Sequence, residues 1–136
     1  MTTTQNLSLL LGRIFFSIIF ILSGVNKIFA FNNTMQYMQH AGMVDYTNIL
    51  LIIAIVFELG GGLLLLFGFF TRIGAWMILI FSVVVSFGIH HFWSYPADQA
   101  QLQMIMFLKN LVIIGGTLYI ITFGAGEYSI DGKRKR

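Results

Sequence analysis

The chain has 136 residues, 57% of them hydrophobic and 10% charged, with a mean hydropathy of +0.85. A soluble domain of this size cannot hide so much apolar surface, so composition points to an all-α integral membrane protein with one domain. The net charge of +3 comes largely from Lys133–Arg136, and the absence of cysteine excludes disulfides, thiolate chemistry and Cys-ligated zinc or iron–sulfur sites.

The first apolar segment, Leu7–Ala30, is expected to be a retained helix rather than a cleavable signal. Met1–Asn6 carries no positive side chain, Arg13 interrupts the apolar run, and no small-residue cleavage site follows. Asn32–Tyr46 joins it to the second segment. Within this connection Asn33 suits the start of a short interfacial helix, Met35 and Met38 share one face, and Gly42 ends it. That helix is expected to lie on the membrane surface or to plug the mouth of the bundle. The second segment, Asn48–Phe70, is about 23 residues or roughly 35 Å as a helix, against a bilayer core of about 30 Å. Thr71-Arg72 is a tight connection to the third segment, Ile73–Trp93, making the two antiparallel neighbours. Ser94–Gln101 holds the single proline, Pro96, and precedes the fourth segment, Leu102–Phe123. Residues 124–136 read as a basic tail, a topology signal or an anionic-lipid contact; no basic face accompanies it, so nucleic acid is not expected as a partner.

Positive charge sets the expected orientation. With Arg13, Arg72 and the basic tail inside, Asp45 and Asp98 fall outside and both termini are cytoplasmic. Lys27 is the exception, near the outer end of helix one, where it either snorkels to the headgroups or turns inward. Trp93 and Tyr95 suit an outer aromatic belt.

Each segment carries a polar or small stripe at helical spacing. Helix one offers Arg13, Ser17, Phe20, Gly24 and Lys27; helix two Glu58, Gly61 or Gly62, and Leu65. Helix three offers Ala75, Leu79, Ser82, Ser86 and His90; helix four Gln103, Met106, Asn110 and Thr117, with Lys109 beside them. Converging, they form the inside of a four-transmembrane-helix bundle. Gly60–Gly62, Gly115 and Gly116 read as sites of close helix packing.

Glu58 is the one charge in its span. An ionised carboxylate at mid-membrane costs about 2.5–3.5 kcal/mol or more, so it should face the protein interior with a partner. By depth, Lys109 is the expected partner, with Arg13 and Lys27 as competitors; an ion pair serving structure alone is the bland alternative. His90 continues the Ser82–Ser86 stripe, so Glu58, His90, Lys109 and Asn110 are expected to line one outward-opening pocket. Such groups exchange protons with a carbonyl or hydroxyl, and walls drawn from 14 Phe and 7 Met suit a flat lipophilic ring. The candidate catalytic residues are Glu58, His90 and Lys109; the candidate ligand-binding residues are Arg13, Lys27, Asn110, Ser86 and Trp93. Haem needs two histidines on opposing helices, and His40 is the one candidate besides the His90–His91 pair, so neither haem nor a metal is expected.

In order along the chain, GRIFFSIIFILSGVNKIFAF, ELGGGLLLLFGFFTRIGAW, HHFW, FLKNLVIIGGTLYI and GAGEYSID resemble the DoxX family of small bacterial membrane proteins. The resemblance spans Gly12 to Asp131 and implies a four-helix inner-membrane protein, several relatives being subunits of quinone-linked oxidoreductases. It implies that Arg13, Gly24, Lys27, Glu58, Gly61, Arg72, His90, Lys109, Asn110 and Gly126 occupy motif positions. A more distant similarity to an endoplasmic-reticulum cargo receptor implies that the fold also serves work other than redox chemistry. The expected function is binding of a quinone or related lipophile, as the quinone-reactive or anchoring subunit of a redox or detoxification system. Membrane lipids, a soluble or membrane redox partner and further copies of the chain are the expected partners. A non-enzymatic carrier of small molecules or ions, or a membrane scaffold for a soluble partner, is the alternative.

Overall fold

The structure is a computed structural model and describes residues 1–134. Among those residues every regular element is helical, and four helices are long and apolar enough to cross a membrane. The first, α1 (Thr3–Phe29), starts before the expected Leu7 because Thr2 and Gln5 form a reciprocal cap. The Thr2 hydroxyl accepts from the Gln5 N–H at 3.3 Å, and the Gln5 side chain accepts from the Thr2 N–H at 2.9 Å.

Helix α2 (Phe31–His40) follows after a break at Ala30. Asn33 therefore lies inside the first turn and does not cap it. Gly42, at φ 99°, ends the helix, and the Met43 N–H returns to the Met38 carbonyl at 3.0 Å. Met35 and Met38 do share a face and pack against Leu51 and Ile89 of the bundle.

The second span, α3 (Thr47–Phe67), contains a π-turn at Val56–Gly60. Gly68 closes it at φ 63°, and α4 (Thr71–Gly88) runs back alongside. After a short 3-10 turn at Phe92–Ser94, Pro96 opens α5 (Ala97–Phe123), ahead of the expected Leu102. A proline there gives up an N–H that the first helical turn leaves unbonded anyway, and Asp98 favours the positive helix end.

The segment after α5 is not a free tail. Gly124 and Gly126, both at positive φ, turn it back across the end of the bundle, and α6 (Ile130–Arg134) completes it. The Glu127 N–H donates to Asn6 Oδ1 at 3.2 Å, and Arg13 Nη2 donates to the Tyr128 carbonyl at 2.6 Å. Asp131 accepts from the N–H groups of Phe70 and Thr71 and from the Thr71 hydroxyl, at 2.9, 2.8 and 2.7 Å, capping α4. Burial alone would raise this carboxyl. The Thr71 and Phe70 hydrogen bonds and the nearby Arg134 outweigh that, holding it below the usual carboxylate range. Both ends of the described chain thus meet at one end of the bundle. Of the basic tail, Lys135 and Arg136 lie outside the described residues.

Helix α1 packs on α3, α3 on α4, and α4 on α5. Small residues set these approaches, as expected where lipid gives helices no hydrophobic reason to associate. A Cβ at Gly24 would meet Leu59, one at Gly61 would sit 3.0 Å from the Gly74 carbonyl, and one at Gly116 would press on Phe16. Gly115 has nothing within 4 Å, so close packing does not account for it. The predicted α1 stripe is buried at Arg13, Ser17, Phe20 and Gly24, while Phe15, Leu22 and Phe29 face outward. On this helix small and polar groups turn inward together with Phe20, and most of the large apolar ones face out.

Candidate functional site

A cavity of about 570 Å³ opens within the half of the bundle that holds α2, and all four spans line it together with α2. Its walls are mainly apolar, including Phe20, Met38, Leu51, Phe57, Phe81 and Ile113. The volume falls within the range of small-molecule sites, about 300–1,000 Å³.

Glu58 enters this cavity from the π-turn and is 3% exposed. Three successive glycines follow, and their weak preference for regular helix makes the wider turn inexpensive. Its partner is Lys27, whose Nζ lies 2.8 Å from Glu58 Oε2. The sequence-based expectation of a Glu58–Lys109 pair is corrected. Close contact at Gly24 draws α1 against Leu59, and Lys27, one turn further on, turns inward rather than snorkelling. Lys27 also donates to Ser23 Oγ at 2.6 Å and lies over the Phe81 ring. The ion pair is close but not aligned as a hydrogen bond, and Glu58 Oε2 has no other hydrogen-bond donor.

Lys109 and Asn110 line the same cavity from α5, with Lys109 beyond ion-pair distance of any described carboxylate. Asn110 is 5% exposed and its Nδ2 has no acceptor. His90 reaches the cavity from the end of α4, where its Nδ1 meets Gln103 Oε1 at 2.7 Å. With the amide oxygen facing the ring, Nδ1 carries the proton and Nε2 is the basic nitrogen. Gln103 Nε2 donates in turn to the Tyr37 hydroxyl at 3.2 Å, tying α4 and α5 to α2 over the cavity.

Three expected ligand contacts lie elsewhere. Arg13 is buried at the opposite end, where it holds the Tyr128 carbonyl. Ser86 is fully buried and donates to the Ser82 carbonyl of its own helix at 2.6 Å, a bond that spends the hydroxyl inside the turn. Trp93 is 59% exposed and packs with Phe87, Phe92 and Phe107 outside the cavity. Conversely, the sequence reading did not name Ser23, Tyr37 or Gln103 as site residues. Ser23 precedes Lys27 by one helical turn and Gln103 shares a stripe with Asn110, so spacing held the signal for both.

The DoxX family model matches residues 8–91, and the SURF4 family model matches residues 62–136. The inner membrane protein YqjF of Escherichia coli is 36% identical over 131 residues, 96% of this chain and 95% of that protein. The inner membrane protein YphA of the same organism is 35% identical over 90% of this chain and 87% of its own length. A Surfeit locus protein 4 homolog of Schizosaccharomyces pombe is 33% identical over 50% of this chain but only 23% of that protein. No solved structure matches significantly. With both E. coli relatives matched along nearly their whole length, the chain belongs to the DoxX family of membrane proteins.

Proposed function

We propose that the cavity binds a quinone or a similar lipophilic ring carbonyl, and that the protein serves a redox or detoxification system as its quinone-handling subunit. What supports this reading is one combination: apolar walls around about 570 Å³, with Lys109 and the unpaired Asn110 amide on the same lining. The residues present fit such a ring. Apolar side chains cover its faces, while the Asn110 N–H and the Lys109 ammonium are donors for a carbonyl oxygen. Glu58 and Lys27 hold an acidic and a basic group within proton-transfer distance. His90, fixed by Gln103, is a further proton carrier at the cavity's edge. A bound quinone supplies two-electron, two-proton chemistry, with electrons drawn from a partner protein or from a substrate that meets the ring directly.

The test is titration of protein in nanodiscs with a short-chain quinone. Saturable binding is expected. Asn110→Leu is expected to weaken it about tenfold, the value of one buried hydrogen bond. Ala54→Trp, which fills the cavity, is expected to abolish it. Equal affinity in both variants, with wild-type melting behaviour, overturns the reading.

We also propose that the end of the bundle holding both chain ends faces the cytoplasm, because Arg72, Lys133 and Arg134 gather there. The chain has no cysteine, so single cysteines report directly. Val44→Cys is expected to react with an impermeant maleimide in spheroplasts, and Thr4→Cys only after lysis. The reverse pattern overturns the orientation.

A further inference from the structure

The charges that line the cavity do not balance. Its titratable groups are Lys27 from α1, Tyr37 from α2, Glu58 from α3, His90 from α4 and Lys109 from α5. Glu58 is the one carboxylate, and Lys27 already occupies it at 2.8 Å while donating to Ser23. Lys109 is left without a contacting counter-charge among the described residues. It adjoins Asn110, whose buried Nδ2 is a second donor with no acceptor. Lys109 is itself exposed rather than buried, and an ammonium at membrane depth is still costly unless an anion or several acceptors meet it. Two adjacent donors, one charged, on a mainly apolar lining are complementary to one ionised oxygen carried on an apolar body.

We infer that the cavity selects a lipophilic monoanion, a ring compound with one oxygen ionised at neutral pH, seated with that oxygen at Lys109 and Asn110. This rests on the ligand-binding reading above and narrows it. An ionised hydroxyquinone or a phenolate fits; a neutral ring of the same shape leaves the Lys109 charge unmatched. Fatty carboxylates share the relevant chemistry and are the alternative source of such an anion.

The experiment compares hydroxynaphthoquinone, ionised at neutral pH, with its uncharged methyl ether, each titrated into protein in phosphatidylcholine nanodiscs. The anion is expected to bind at least about tenfold more tightly, as a hydrogen bond to a charged group exceeds a neutral one. Lys109→Arg is expected to keep that preference and Lys109→Met to abolish it, with an unchanged melting midpoint showing that each variant is folded. Oleate is added as competitor. Displacement supports the monoanion rule with fatty carboxylates as the source, and failure to displace supports it with the ring as the recognised body. Equal binding of the two naphthoquinones to wild type, or a preference that survives Lys109→Met, overturns the inference alone. Binding of neither compound overturns the ligand-binding reading and this inference with it.

Discussion

Lys27→Met is expected to destabilise the folded bundle by about 3–5 kcal/mol, the cost of leaving a buried charge without its partner. Glu58 has a side chain 4% exposed, and Lys27 is its contacting cation. Removing the lysine strands a carboxylate inside an apolar bundle without its counter-charge. Glu58→Gln is the milder change, because Lys27 is 21% exposed and keeps Ser23 as an acceptor. The double variant Lys27→Met/Glu58→Leu is expected to recover most of the loss, since it removes the desolvation of both charges together. Reversible unfolding in mixed micelles measures all three. A loss below about 1 kcal/mol for Lys27→Met, the level of an exposed pair, would contradict a dry ion pair.

At the other end of the bundle, Gly68→Ala is expected to cost about 2–5 kcal/mol and to loosen the returning segment. Gly68 sits at φ 63°, where a side chain costs about 1–2 kcal/mol. Crowding adds about 1–3 kcal/mol more, because a Cβ would collide with Arg13 Nη1 and Ser129 Cβ. Arg13 cannot simply swing away: it is 3% exposed and Nη2 is fixed on the Tyr128 carbonyl. The Gly68 carbonyl also accepts from the Asp131 N–H at 2.8 Å, so the distortion reaches the cap on α4. Unfolding measurements give the stability change, and faster proteolysis after Gly124 reports release of the segment. Wild-type stability together with wild-type proteolysis would contradict this account of the turn.

Much of the bundle was readable from spacing, because a membrane interior reverses the usual pattern. Arg13, Ser17, Phe20 and Gly24 recur at helical intervals amid large apolar residues, and all four are buried. The lone charge of Glu58 likewise pointed inward, and it was found there. Its partner was misjudged because depth was counted along separate ideal helices. Neither the approach of α1 at Gly24 nor the π-turn at Val56–Gly60 can be counted that way, and both bear on which cation Glu58 meets. Arg13 was legible as buried but not as bound to Tyr128, a contact across 115 residues of chain. Trp93 was expected to end the third span, yet α4 stops at Gly88, and the 3-10 turn at Phe92–Ser94 leaves the Trp93 ring on the exterior.

We propose that the cavity beside Glu58 holds a lipophilic ring compound. Mass spectrometry of organic extracts from gently purified protein, with an absorption spectrum of the same sample, tests it most directly. The account predicts a quinone or related ring compound in near-stoichiometric amount, much reduced from Asn110→Leu and absent from Ala54→Trp. Phospholipid alone from the wild type, prepared from quinone-containing membranes, would contradict it.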